Sequence, residues 1–160
     1  MTEQDERHLR HAIALAGEAR ASGNHPFGAL LVDGRDEVLT LARNSVVTDA
    51  DPTGHAETNL VRQAGALAAG QGLDLASCTL YTSTEPCAMC AGAIYWSGIG
   101  RVVYALAEVD LLATTGSGHP DNPTLALPCR QVFACGSHPV VVDGPALEDE
   151  AHLVHEGFWA

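Results

Sequence analysis

The residues best suited to chemistry are His55-Ala56-Glu57 and, after 28 intervening positions, Pro86-Cys87-Ala88-Met89-Cys90. Cysteines three apart at the start of a predicted helix carry their sulfurs on one face, beside unpaired backbone N–H groups that favour thiolates, so Cys87 and Cys90 can grip one metal ion. His55, opening a helix of its own, supplies a third ligand and leaves one tetrahedral position for water, the arrangement of a catalytic zinc. Read alone, the cysteine pair is equally half of a structural zinc knuckle, and His55 a polar cap at a helix end. A structural site would need a fourth ligand; Cys78, Cys129 and Cys135 are formal candidates, but free cysteines more commonly fill a core. Glu57 lies two residues from His55, a spacing that sends side chains of a regular helix to nearly opposite sides. Only at a first turn, where the entering chain splays, can both approach one point.

These groups need a frame that holds two helix starts together. Leu9, Ala12, Ile13, Ala16 and Ala19 recur at helical spacing and predict an amphipathic helix from Asp5 to Ala21, stopped by Gly23. Segments 27–33 and 37–43 flank turn residues and predict a β-hairpin. Asp51-Pro52-Thr53 lead into a predicted helix over 55–69; a strand over 78–82, a helix from Pro86 to Trp96 and a strand over 101–105 follow. Residues 114–128, rich in Gly, Pro, Ser, Thr and Asn, predict a loop, and 139–143 and 146–155 a last strand and helix. The alternation predicts an α/β fold, a three-layer α/β/α sandwich around a mixed sheet of about five strands. A chain of 160 residues without a linker is expected to be one domain, 1–160.

Composition removes several functions. There are 8 Lys+Arg against 20 Asp+Glu, a formal net charge of −12, and every basic residue is an arginine. Schiff-base and pyridoxal-phosphate chemistry and P-loop nucleotide sites need a lysine and are excluded. The acidic balance disfavours nucleic acid as a partner, because phosphate binding depends on releasing counterions from a basic face. A small neutral substrate fits better. No apolar run reaches bilayer length, the charged start lacks a signal peptide's apolar stretch, and the five cysteines are an odd number. The expectation is a cytoplasmic protein with no membrane partner.

Pro26-Phe27-Gly28-Ala29, Asn44, the run from Asp51 to Glu57 and the run from Leu80 to Trp96 resemble the guanine deaminase and tRNA adenosine deaminase branch of the cytidine deaminase superfamily. The resemblance covers roughly residues 5–112. It implies a zinc-dependent hydrolase that replaces an exocyclic amine on a nucleobase or nucleoside with oxygen and releases ammonia. It implies His55, Cys87 and Cys90 as zinc ligands and Glu57 as the catalytic group that passes a proton from water to a ring nitrogen and then to the leaving amine. It also implies base contacts from Asn44 and the Ala56 backbone.

Within that branch, Phe27 and Trp96 resemble guanine deaminases and could sandwich a flat purine, although each is equally a packing residue. The last predicted helix, from Glu148 to Glu156, is acidic and would repel a phosphate backbone. Guanine deaminases of this type close the pocket with an aromatic C-terminus, often from a partner subunit. The tail 146–160 is accordingly expected to cap the site, with Trp159 as a contact, in a homodimer. Guanine is the first substrate expected; adenosine in tRNA, cytosine, a guanosine-type nucleoside and an aminotriazine are rivals, and a structural zinc domain is the non-enzyme rival. One segment departs from the guanine deaminases: 114–121 lacks their pattern of acidic and aromatic residues, and Asp110, His119 and Asp121 are the nearest substitutes. His8, His11, His25, His138, His152 and His155 have no ligand-like context and are expected on the surface or on helix faces.

Overall fold

The computed structural model describes residues 1–116, 119–120 and 122–159, so Asp121 lies outside the described residues. Helix α1 (Glu3–Ala21) starts at a reciprocal cap: the Thr2 hydroxyl accepts the Asp5 N–H and the Asp5 carboxylate accepts the Thr2 N–H. Its buried face is the stripe read from the sequence with Leu15 and the polar Asp5 and His8 added. Strands β1 (Gly28–Val32) and β2 (Val38–Arg43) form the hairpin, whose turn is held by the Asp33 side chain accepting the N–H groups of Arg35 and Glu37. Helix α2 (Ala56–Gln71), strand β3 (Thr79–Thr84), helix α3 (Ala88–Ser97) and strand β4 (Arg101–Leu106) follow. Helices α4 (Glu108–Thr115) and α5 (Cys129–Ala134), strand β5 (Val141–Asp143) and helix α6 (Glu148–Leu153) complete the order.

The five strands lie in the order β2-β1-β3-β4-β5. β1 is antiparallel to both neighbours, whereas β3, β4 and β5 run parallel, as strands joined by helices must. One apolar cluster joins α1 and α6 to the sheet; the other joins α2, α3 and α5 to the opposite face. The three-layer expectation holds. Close approach of α1 to β1 depends on Gly28, where a Cβ would stand 2.5 Å from Leu15 Cβ and 2.6 Å from the Ala12 carbonyl oxygen. A charged knot closes the far end of the sheet: Arg101 donates to Asp5 at 2.8 Å and to Asp143 at 2.8 Å, and the Tyr81 hydroxyl donates to Asp5 at 2.7 Å. Burial alone would raise the Asp5 carboxyl, but these donors outweigh it and hold it well below the usual carboxylate range.

Three expectations need correction. α4 and α5 were not foreseen, because elements of eight and six residues carry too little periodicity to read and are held by tertiary contacts. Cys78 and Cys129 are buried as expected, but Cys135 is exposed. His155, expected on a surface or helix face, is only 1% exposed, sealed between Phe27 and Trp159.

Candidate active site

The two helices that carry the chemical residues begin side by side. His55 is the N-cap of α2 and Cys87 the N-cap of α3, both in extended conformation, and Cys90 lies in the first turn of α3. His55 Nδ1 stands 3.6 Å from Cys87 Sγ and 3.5 Å from Cys90 Sγ, and the three donor atoms all lie within 4.8 Å of one another. Cys78, Cys129 and Cys135 do not join this group, so the structure supplies no fourth cysteine for a purely structural site. Glu57 reaches the same place because it sits in the first turn of α2. Its Oε1 accepts the Thr82 hydroxyl at 3.0 Å, and its Oε2 lies 3.5 Å from Cys90 Sγ.

The electrostatics suit a dication. Hydrogen bonding from Cys90, against the opposing effect of burial, pulls the Cys87 thiol down to about 4. The same bond pushes Cys90 upward, so the two sulfurs share one proton. His55 is raised, first by its bond to Cys87. A metal ion among these atoms would displace both protons and turn the trio into two thiolates and a neutral imidazole. This soft S₂N donor set fits zinc. Glu57 is pushed upward by burial.

A cavity of about 370 Å³ opens onto His55, Glu57 and Cys87. Its other walls include His25, Phe27, Glu85, Glu108 and Leu111 and residues 122–125, with no arginine among them. Phe27 therefore lies where expected. Asn44 and Ala56 are buried and do not line the cavity. Asn44 Oδ1 accepts the Val46 N–H at 3.1 Å, and its Nδ2 has no partner among the described residues. Trp159 also stops short of the cavity: its indole donates to His155 Nδ1 at 3.2 Å, and its ring lies 6.2 Å from that of Phe27. The expectation for Trp96 is overturned. It is 85% exposed and away from the cavity, because six residues past Cys90 is about 240° round the helix.

Sequence reasoning missed Glu85, Glu108 and the cavity-facing position of His25. A signal for the two carboxyls was present. In open sheets ligands gather beyond the C-terminal ends of parallel strands, and Glu85 directly follows β3 while Glu108 comes two residues after β4.

Residues 2–106 match the family model of the cytidine and deoxycytidylate deaminase zinc-binding region. The chain belongs to this deaminase family. As a member it is a zinc-dependent hydrolase. A protein of Schizosaccharomyces pombe named a probable cytosine deaminase is 45% identical to this deaminase over 159 residues, covering 99% of this chain and 94% of its own. The guanine deaminase of Bacillus subtilis is 43% identical over 107 residues, 66% of either chain. A solved structure of the guanine deaminase from Nitrosomonas europaea superimposes with a TM-score of 0.71 at 27% identity, over 93% of this deaminase and 81% of that chain. Among the described residues, no helix is long and apolar enough to cross a membrane.

Proposed function

We propose that this deaminase acts on a free nucleobase, cytosine before guanine, and releases ammonia. The observation that carries the reading is the cavity itself. It ends on His55, Cys87 and Glu57, presents Phe27 and Leu111 as apolar walls for a flat ring, and offers no arginine to hold a phosphate. Cytosine takes precedence over the guanine expectation because Glu108, Leu111 and residues 122–125 build much of the cavity wall. The likeness to the Schizosaccharomyces pombe protein runs through that region, whereas the likeness to the Bacillus subtilis guanine deaminase spans only 107 residues. A tRNA substrate is disfavoured by the net charge of −12.

His55, Cys87 and Cys90 would hold zinc, which would supply a Lewis acid that lets a water ionise near neutral pH. Glu57 would take one proton of a water there and deliver it to the ring nitrogen next to the amine as the oxygen adds to the amine-bearing carbon, then carry the second proton of that oxygen to the amine, which leaves as ammonia while the carbonyl forms. Thr82 fixes one Glu57 oxygen and leaves the other directed at the metal site. Asn44, with its Oδ1 already engaged and its Nδ2 unspent, is assigned to donate to a base carbonyl, and the Ala56 backbone, at the first turn of α2, to read the base edge. Trp159 acts from behind Phe27: residues 146–159 brace the cavity wall, and the chain works as one deaminase domain. Exposed Met89 and Trp96 leave apolar surface on α3 that a second copy would cover in a homodimer, and unpaired thiols suit the cytoplasm.

The test is ammonia release by zinc-loaded protein from cytosine, guanine, adenine and their nucleosides, with Glu57→Gln as control. Turnover of a free base is expected, reduced about 10²–10⁴-fold in the variant at unchanged zinc content. Ammonia from no base would overturn the reading, and inosine formed in a tRNA would replace it.

A further inference from the structure

Glu108 stands in the cavity wall with no partner for its carboxyl among the described residues. It is 8% exposed, and among the described residues no hydrogen bond or ion pair reaches its carboxyl. Its backbone is nonetheless fixed in place, the N–H donating to Glu85 Oε2 at 3.2 Å. The surroundings oppose its charge: burial foremost, then Cys87, Glu57 and Glu85, with His55 alone helping, push the carboxyl up to about 8. Burying a carboxyl without a partner costs stability, and a purely structural role would have matched it with a donor or a cation, as Asp5 is matched by Arg101. Its place in the first turn of α4 suits an acidic residue, but nothing among the described residues pairs with its carboxyl, which lines the cavity and is left for what enters it.

We propose that Glu108 is a specificity-determining residue that accepts a ring N–H from the substrate, so that the enzyme takes an unsubstituted base and rejects the same base carrying carbon on that nitrogen. The inference rests on the free-base reading above. With the amine directed at Glu57 and the metal ligands, the remote edge of the ring faces the rest of the wall, to which Glu108 belongs. That edge carries a ring N–H in free cytosine and in free guanine alike. In a nucleoside or nucleotide this nitrogen bears the sugar and has no proton to give. A nucleotide would also bring its phosphate to the side of the cavity that holds the Glu108 carboxyl, with no arginine among the cavity walls to offset the repulsion.

The experiment compares zinc-loaded wild type, Glu108→Gln and Glu108→Met on cytosine against 1-methylcytosine and on guanine against 9-methylguanine. Ammonia release and calorimetric binding are both measured. Wild type is expected to favour the unmethylated base by roughly 10-fold, the effect of one hydrogen bond to an uncharged acceptor, in KM and in binding. The ratio should approach the purely steric difference in Glu108→Met and fall between in Glu108→Gln, whose amide oxygen still accepts. Zinc content should not change, and the melting temperature of Glu108→Met should hold or rise, which loss of a structural carboxyl would not allow. An unchanged ratio in Glu108→Met, or a lower melting temperature in both variants, overturns the assignment even if free bases are deaminated. Wild type that binds no base overturns both readings. Binding that discriminates without ammonia release upholds Glu108 and removes deamination alone.

Discussion

Glu85 grips Glu108 by its backbone: Glu85 Oε2 accepts the Glu108 N–H at 3.2 Å, while Oε1 accepts the Cys129 N–H at 3.0 Å. One buried carboxylate, two residues before the first metal-site cysteine, thereby ties that loop to the starts of α4 and α5. Between those starts run residues 122–125, which close one side of the cavity. The metal end and the opposite wall are thus referenced to a single side chain.

Glu85→Gln should therefore disturb substrate binding more than metal binding. The amide has one acceptor oxygen, so one of the two N–H groups is left unpaired at a cost of about 1–3 kcal/mol. A KM rise of roughly 10-fold with a smaller change in kcat and full zinc occupancy is expected. Steady-state kinetics and elemental analysis check it, and an unaltered KM would show that the tie does not govern the wall.

The metal assignment predicts about one zinc per chain in the wild type and almost none in Cys87→Ala, read by elemental analysis. Metal that binds only the folded form stabilises it by mass action, so chelation should lower the wild-type melting temperature and leave that of Cys87→Ala unmoved. Zinc retained by the variant would place the metal elsewhere.

His155 predicts an acid-sensitive C-terminal tail. Burial first, then the nearby His152 and Arg20, depress its imidazole to about 4. Between that value and its ordinary 6.5 the unfolded chain binds more protons than the folded one, so stability rises with pH across the window. The contribution is complete above about 6.5 and lost as pH falls toward about 4. His155→Gln can still accept from the Trp159 indole but does not titrate. The wild-type melting temperature should drop between pH 7 and pH 5 by roughly 3–6 °C more than that of the variant, with a matching shift in tryptophan emission. Parallel curves would assign the acid sensitivity to other groups.

Two glycines separate packing from flexibility. Gly28→Ala forces a Cβ against Leu15 and the Ala12 carbonyl and should cost about 1–3 kcal/mol. Gly65→Ala, in α2 with nothing within 4 Å of the added atom, should gain about 0.5–1 kcal/mol from helix propensity. Denaturant midpoints measure both, and similar values for the pair would contradict the close approach of α1 to β1.

The parts legible in the sequence are those that repeat or punctuate. The stripe from Leu9 to Ala19, the hairpin turn and the helix starts at His55 and Cys87 all emerged within two or three residues of their positions. The metal trio was legible because ligand chemistry restricts residue type and spacing together. Trp96 misled, since an aromatic residue shortly after the cysteines looks pocket-facing until the helix phase is counted. Glu108 stayed hidden because one carboxylate in a sequence says nothing of its partners. Its lack of any is visible only once burial and neighbours are known. The position of Trp159 turned on the packing of its ring near His25 and Phe27, a contact between the chain end and the region before β1 that no local pattern encodes.

Residues 108 and 122–125, which supply much of the cavity wall, come after every metal ligand in the chain. Reaction chemistry and substrate choice are therefore written largely in consecutive stretches of the polypeptide. A crossover placed in β4 could exchange the second stretch between relatives while leaving the first intact, so that new substrates would be sampled without rebuilding a catalyst. The same division lets a mutational library be confined to a short interval downstream of Leu106, where each member starts from an assembled metal site.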